Sequence, residues 1–311
     1  MTHSIRILAF PGAPNLPIFT ALEEGFFAEE DVDIAIEFTP SSIYQAKQVA
    51  AGNFDIAMTA FDNVVAYGEG QGAAGPDVDP GYVAVMGATQ LELSLVVSPD
   101  VTGFNDLRGK TLALDALDTG FAFVLTEMLM RAGLSQGDPA YVTVGATPQR
   151  WQSVQAGEHA GTLTIEPFTT MATRAGFTVL QESTEIFDAY QGGVVAARRG
   201  FLAENPDAVA AYLRALLRSL DWLSDASNHD AACEHLKKHM PAIKPEAAGA
   251  VLKNVLNPKS GLTPGGAILP DGMRRVLDLR SRHGSGGKTL TDIERYMDLT
   301  LYDAIQSGAG A

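Results

Sequence analysis

Short apolar runs alternate with helical stretches in two successive sets along this chain, and few folds accept that pattern. In the first set, residues 5–10, 33–38, 54–58 and 82–86 read as strands, with helices over 17–29 and 43–51 between them. A loop rich in Gly, Ala, Asp and Pro over 68–80 precedes the last of these strands. In the second set, strands over 93–97, 111–114, 141–144, 162–165 and 177–180 alternate with helices over 120–132, 149–156 and 168–175. From Gly200 onward the pattern is helical, over 206–224, 231–239, 245–255 and 292–305. Strand-helix alternation predicts an α/β chain of parallel βαβ units, and two such sets in series predict two lobes with a cleft between them. Leu93 and Val194 border the middle set and are the expected crossovers. That gives a discontinuous lobe 1 over 1–88 and 195–311 and an inserted lobe 2 over 89–194, and 311 residues suit two domains.

Charge and cysteine content narrow the partners. The 22 Lys plus Arg against 37 Asp plus Glu give a formal net charge of −15, a field that repels nucleic-acid backbones and anionic membrane surfaces. The single cysteine, Cys233, cannot form an internal disulfide, a CxxC pair or a multi-thiolate zinc site. No run approaches the roughly 18 apolar residues of a membrane span, and no export signal is visible at the N-terminus. The chain is expected to be a monomer, periplasmic if a leader precedes it and cytoplasmic if Met1 is the native start.

Four strand-to-helix junctions gather small, polar and aromatic residues: 11–17 with Asn15, 59–63 with Thr59, Phe61 and Asp62, 115–121 with Asp115, Asp118, Thr119, Gly120 and Phe121, and 166–169 with Glu166. Ligands of open α/β sheets bind at such places, beyond the carboxyl ends of strands. Helix capping by Asp118 or Thr119 explains one junction equally well, and Pro167 at a first helical position explains another.

Several stretches resemble a known family. Leu16-Pro17-Ile18-Phe19 leading to Gly25-Phe26-Phe27, then Gly52-Asn53-Phe54-Asp55, then Asp106-Leu107-Arg108-Gly109-Lys110 with Ala132-Gly133-Leu134, then Glu166-Pro167-Phe168 and Asn205-Pro206-Asp207 occur in order along nearly the whole chain. This series resembles the type II periplasmic-binding-protein fold, in the family of nitrate, sulfonate, taurine and thiamine-pyrimidine binders of ABC importers. The resemblance implies two lobes with parallel-rich sheets joined by a two-strand hinge, extra C-terminal helices, a small-molecule ligand between the lobes and an ABC transporter permease as partner. It places Asn15, Tyr44, Thr59, Phe61, Asp62, Gln90, Glu92, Asp115, Thr119, Gly120, Phe121, Glu166, Tyr190 and Gln191 around the cleft. Arg150 is expected on the solvated surface beside Trp151.

Some proteins of this fold are enzymes, so a cytoplasmic decarboxylase, lyase or desulfinase acting on a small aromatic or carboxylated metabolite is the alternative. The residues give it little support. Cys233 lies in a late helix far from the first loop, and no Ser-His-Asp order, phosphate loop or dinucleotide fingerprint occurs. His235 and His239 share a helical face, but Lys237 and Lys238 between them indicate a solvated one. No cofactor or metal is expected. Asp62, Glu92, Asp115, Asp118 and Glu166 near the cleft, with few cations, favour a ligand that donates hydrogen bonds or carries a positive nitrogen, such as an amine or aminopyrimidine.

Overall fold

Residues 2–90, 93–135 and 137–308 are described by the structure, a computed structural model. β1 (His3–Ala9) buries Ile5, Ile7, Leu8 and Ala9, as an inner strand covered on both faces must. α1 (Leu16–Glu23) and α2 (Phe26–Glu29) follow it. The single helix expected over 17–29 is two, because the chain turns at Gly25 with a φ of 78°, a left-handed conformation that glycine tolerates without steric cost. Next come β2 (Val32–Phe38), α3 (Ser42–Ala50), β3 (Ile56–Ala60), α4 (Phe61–Gly68) and β4 (Tyr82–Thr89).

The second set comprises β5 (Ser94–Val97), β6 (Thr111–Leu114), α5 (Gly120–Arg131), β7 (Ala140–Thr143), α6 (Thr147–Gln155), β8 (Gly161–Thr164), α7 (Phe168–Arg174) and β9 (Thr178–Glu182). β10 (Gly193–Arg198) then returns the chain to the first sheet. The strand orders are β2-β1-β3-β10-β4 and β7-β6-β8-β5-β9. Both sheets are mixed. β1, β2 and β3 run parallel, as do β6, β7 and β8, which are the expected βαβ units. β10 lies antiparallel between β3 and β4, and β5 lies antiparallel between β8 and β9. Each sheet thus receives one antiparallel strand at a point where the chain changes sheets.

The remaining helices are α8 (Arg199–Glu204), α9 (Pro206–Ser224), α10 (His229–His239), α11 (Pro245–Val255), α12 (Pro270–His283) and α13 (Thr300–Gln306). α9 covers the first sheet with Val209, Tyr212, Leu213 and Leu216, and the Tyr212 ring stacks on Phe27 at 5.6 Å. The helix expected over 292–305 is shorter: a 3-10 turn at Glu294–Tyr296 and extended backbone at Met297 precede α13. The His235 and His239 face of α10 is not solvated. Nε2 of His235 lies 3.1 Å from Glu24 and Nε2 of His239 lies 2.7 Å from Glu23, both on or next to α1, while Trp222 and Phe19 stack on the two imidazoles. Lys237 and Lys238 project to the side, where they pair with Glu234 and Glu23.

Candidate functional site

The carboxyl ends of β1, β3, β6 and β8 face one another across a cleft of about 820 Å³, counted to its open mouth. Phe10, Met58, Ala60, Ala88, Phe121, Ile165 and Val194 give it apolar walls. Its polar groups are Asn15, Ser42, Thr59, Asn63, Thr89, Asp115, Thr119, Thr147 and Arg150, and Gly12, Gly120 and Gly193 let backbone approach. Four hydrogen bonds tie junctions of the first sheet to those of the second. Ala13 N–H donates to the Glu166 carbonyl (2.9 Å), Ser42 N–H to the Asp115 carboxylate (3.0 Å), Ala146 N–H to the Pro40 carbonyl (2.9 Å) and Gly120 N–H to the Asp62 carboxylate (2.6 Å).

Six of the residues expected at the cleft line it together: Asn15, Thr59, Asp115, Thr119, Gly120 and Phe121. Asn15 is held by donating its amide to the Phe10 and Gly12 carbonyls, and Thr59 accepts from the Asn63 amide at 2.9 Å. Thr119 occupies the N-cap position of α5, yet its hydroxyl donates to the Ala116 carbonyl at 3.1 Å and leaves the helix end to another group. That group is Asp62, reaching across from α4. Gly120 permits the approach, because a Cβ there would stand 2.8 Å from the Asp62 Cβ.

The other expected residues lie elsewhere. Asp62 is 1% exposed and forms an ion pair with Arg280 of α12 through bonds of 2.7 and 2.6 Å. Burial alone would lower the Arg280 pKa, but the charge and hydrogen bonds of Asp62 raise it above the ordinary value. Phe61 is a core residue whose ring meets Tyr296 edge to face. Tyr190 is buried against Phe187, and that burial pushes its phenol pKa upward. Gln191 is a backbone clamp, donating to the Thr89 and Gly193 carbonyls and accepting from Leu269 N–H. Tyr44 is exposed on α3, Gln90 donates to the Pro258 carbonyl, and Glu92 lies outside the described residues.

Glu166 lines a smaller adjoining recess with Asn254 and Ser260. Although Pro167 has no proton to donate, the Glu166 carboxylate reaches Thr170, taking its N–H at 3.4 Å and its hydroxyl at 2.9 Å, and it also accepts from the Asn254 amide. Asp118 accepts from Ser285 N–H and hydroxyl. Asp62, Glu166 and one oxygen of Asp118 are therefore engaged by the protein's own groups, which leaves Asp115 as the carboxylate of this set, among the described residues, that lines the cleft.

Arg150 corrects the sequence expectation in the opposite direction. It is 2% exposed, on the first turns of α6, and it lines the cleft. Its guanidinium donates to Thr162 and Thr147 hydroxyls and to the Gly145 and Leu163 carbonyls at 3.0–3.1 Å, while its Cζ stands 5.8 Å from the centre of the Phe121 ring. Burial pulls its pKa down to about 10, opposed by the charge of Asp115, so it remains cationic at neutral pH. Ser42, Asn63 and Thr147 were also not singled out. Their signal is weak in sequence, since short polar residues beginning helices are ordinary caps.

The NMT1-like family model matches residues 2–237, and the chain belongs to the NMT1-like family. Its fold is the periplasmic binding protein fold. The periplasmic nitrate-binding protein of Synechocystis PCC 6803 superposes with a TM-score of 0.81 at 13% identity, covering 99% of this chain and 89% of that one. The alkanesulfonate-binding protein of Xanthomonas axonopodis pv. citri, bound to MOPS, gives 0.72 at 14% identity, with 94% and 96% covered. A Candida albicans protein described as having the generic periplasmic binding protein structural fold gives 0.73 at 14%, with 96% of each chain covered. No curated protein matches the chain.

Proposed function

We propose that this chain is a solute-binding protein that captures a small polar or aromatic nitrogen-containing metabolite between two lobes, 1–88 with 195–311 and 89–194, and delivers it to an ABC importer permease. The observation that carries this reading is the cleft itself. It is lined from both sheets by apolar walls and a few fixed polar groups, and its rims are joined by hydrogen bonds from one sheet to the other. A ligand contacted from both sheets in this way favours the state in which the lobes approach, so binding is coupled to closure about the two strand crossings. The transport reading carries a periplasmic location with it, as the names of the nitrate- and sulfonate-binding neighbours support. The Synechocystis and Xanthomonas relatives support the transport role, while nitrate and alkanesulfonate remain the ligands of those proteins.

The test is to mix purified protein with a metabolite library and follow both thermal stabilisation and the fate of each compound. Capture raises the melting temperature, by about 2.7 kcal/mol of stabilisation at a hundredfold excess over Kd, and leaves the compound intact. A compound that is converted rather than retained would establish an enzyme and overturn the proposal.

A further inference from the structure

Resting on the capture reading above, we infer that the cleft selects net-neutral molecules bearing both hydrogen-bond donors and acceptors and rejects small anions, with Asp115 as the residue that sets the preference.

Two places in such a cleft ordinarily receive an anion: a helix N-terminus and a cationic side chain. Here the starts of α3 and α5 at the cleft each already give an N–H to a carboxylate, Asp115 and Asp62, and the cation Arg150 has the Asp115 charge near it. The N-terminus of α5 already holds the Asp62 carboxylate at 2.6 Å from Gly120 N, and Asp62 is itself neutralised by Arg280. The charged side chains lining the cleft among the described residues are Arg150 and Asp115, one of each sign. They are near enough for Asp115 to act on the Arg150 charge, no ion pair joins them among the described residues, and both line the cleft. An anion drawn to Arg150 would share the low-dielectric space with the Asp115 carboxylate and meet its repulsion.

What remains open is dipolar. Arg150 uses four of its N–H groups on the protein, and a guanidinium has about five. Ser42 is 3% exposed and lines the cleft, and its hydroxyl has no hydrogen-bond partner. The Asp115 carboxylate receives the Ser42 N–H, a fraction of the roughly four bonds a carboxylate can accept. A molecule that accepts from Arg150 and Ser42, donates to Asp115 and lays a flat apolar body against Phe121 and Met58 satisfies all of these at once. Amides and amino-substituted heterocycles have this chemistry.

The test uses isosteres that differ in charge, benzamide and benzoate, titrated calorimetrically into the full chain. The wild type should take benzamide at least tenfold more tightly than benzoate. Asp115→Asn keeps the acceptor for Ser42 N–H and removes the charge, so it should reverse the order and raise benzoate affinity at least tenfold. Benzoate binding the wild type as well as benzamide does would overturn the inference, with or without a folded variant. So would a folded Asp115→Asn protein, checked by circular dichroism, with no gain for benzoate. If a library compound stabilises the wild type while either of these results is found, the charge preference fails and capture stands. If benzoate gains in Asp115→Asn while every bound library compound is consumed, the preference stands and capture fails.

Discussion

Replacing Arg280 with methionine should be among the most damaging single changes available in this chain. The Arg280 side chain is 0% exposed and Asp62 is 1% exposed, so the substitution strands a carboxylate away from water with Gly120 N–H as its remaining donor. Breaking a buried pair from one side costs about 3–5 kcal/mol, because the surviving charge loses both its partner and its hydration. At about 2–4 °C per kcal/mol, the melting temperature should fall by roughly 6–20 °C. The double variant Asp62→Leu/Arg280→Met removes both charges. It should recover most of that loss and retain a cost of about 1 kcal/mol for the uncapped start of α5. Urea unfolding of the wild type, both single variants and the double variant closes the cycle, with an expected coupling of at least about 2 kcal/mol. A loss below 1 kcal/mol in Arg280→Met, or single effects that simply add in the double variant, would refute the placement of this pair as a buried, mutually dependent unit.

Three further outcomes follow from the same geometry. Ser42→Ala removes a buried hydroxyl that has no partner, so stability should hold or rise by up to about 1 kcal/mol while affinity for the captured compound falls, a divergence read by urea unfolding and calorimetry together. Gly120→Ala would push a methyl to 2.8 Å from the Asp62 Cβ and 3.0 Å from the Tyr190 hydroxyl, and should cost about 1–3 kcal/mol in the same unfolding assay. Acid should loosen α10 from α1: burial lowers the His235 pKa below its ordinary 6.5, and bonds from Lys238 and His239 lower that of Glu23 although burial opposes them. For His235 the unfolded chain binds its proton first, so stability present above pH 6.5 is lost as pH falls through the folded value, and the Glu23 contribution follows below its ordinary 4.5. Hydrogen exchange in α10 should therefore quicken as pH is lowered from 7 to 4 relative to β1, and unchanged relative protection would contradict it.

The alternation of strands and helices was legible because buried β-strands and amphipathic helices have different hydrophobic periods, and most elements fall within a few residues of their expected positions. α12 was not. Its sequence opens Pro270-Asp271-Gly272 and is crowded with arginine, which reads as loop and solvent. In the fold, Gly272 lies where a Cβ would come 2.5 Å from Gln191 N, and Arg280 turns inward because Asp62 waits there, 218 positions earlier in the chain. Without α12, Asp62 looked like a free carboxylate facing a ligand. Arg150 was misplaced for the same reason: nothing local announces that Gly145, Thr147, Thr162 and Leu163 will converge on its guanidinium. The junctions of the cleft could be located from strand ends, but the charges within it are set by long-range pairing that sequence spacing does not display.

The central claim is that one small molecule is held by both sheets at once, and a crystal structure of the complex with the most stabilising library compound tests it most directly. The account predicts density between Phe121 and Met58, with polar atoms of the ligand within hydrogen-bond distance of Ser42 on one side and of Asp115 or Arg150 on the other. Density outside this cleft, or touching residues of one sheet alone, would contradict it.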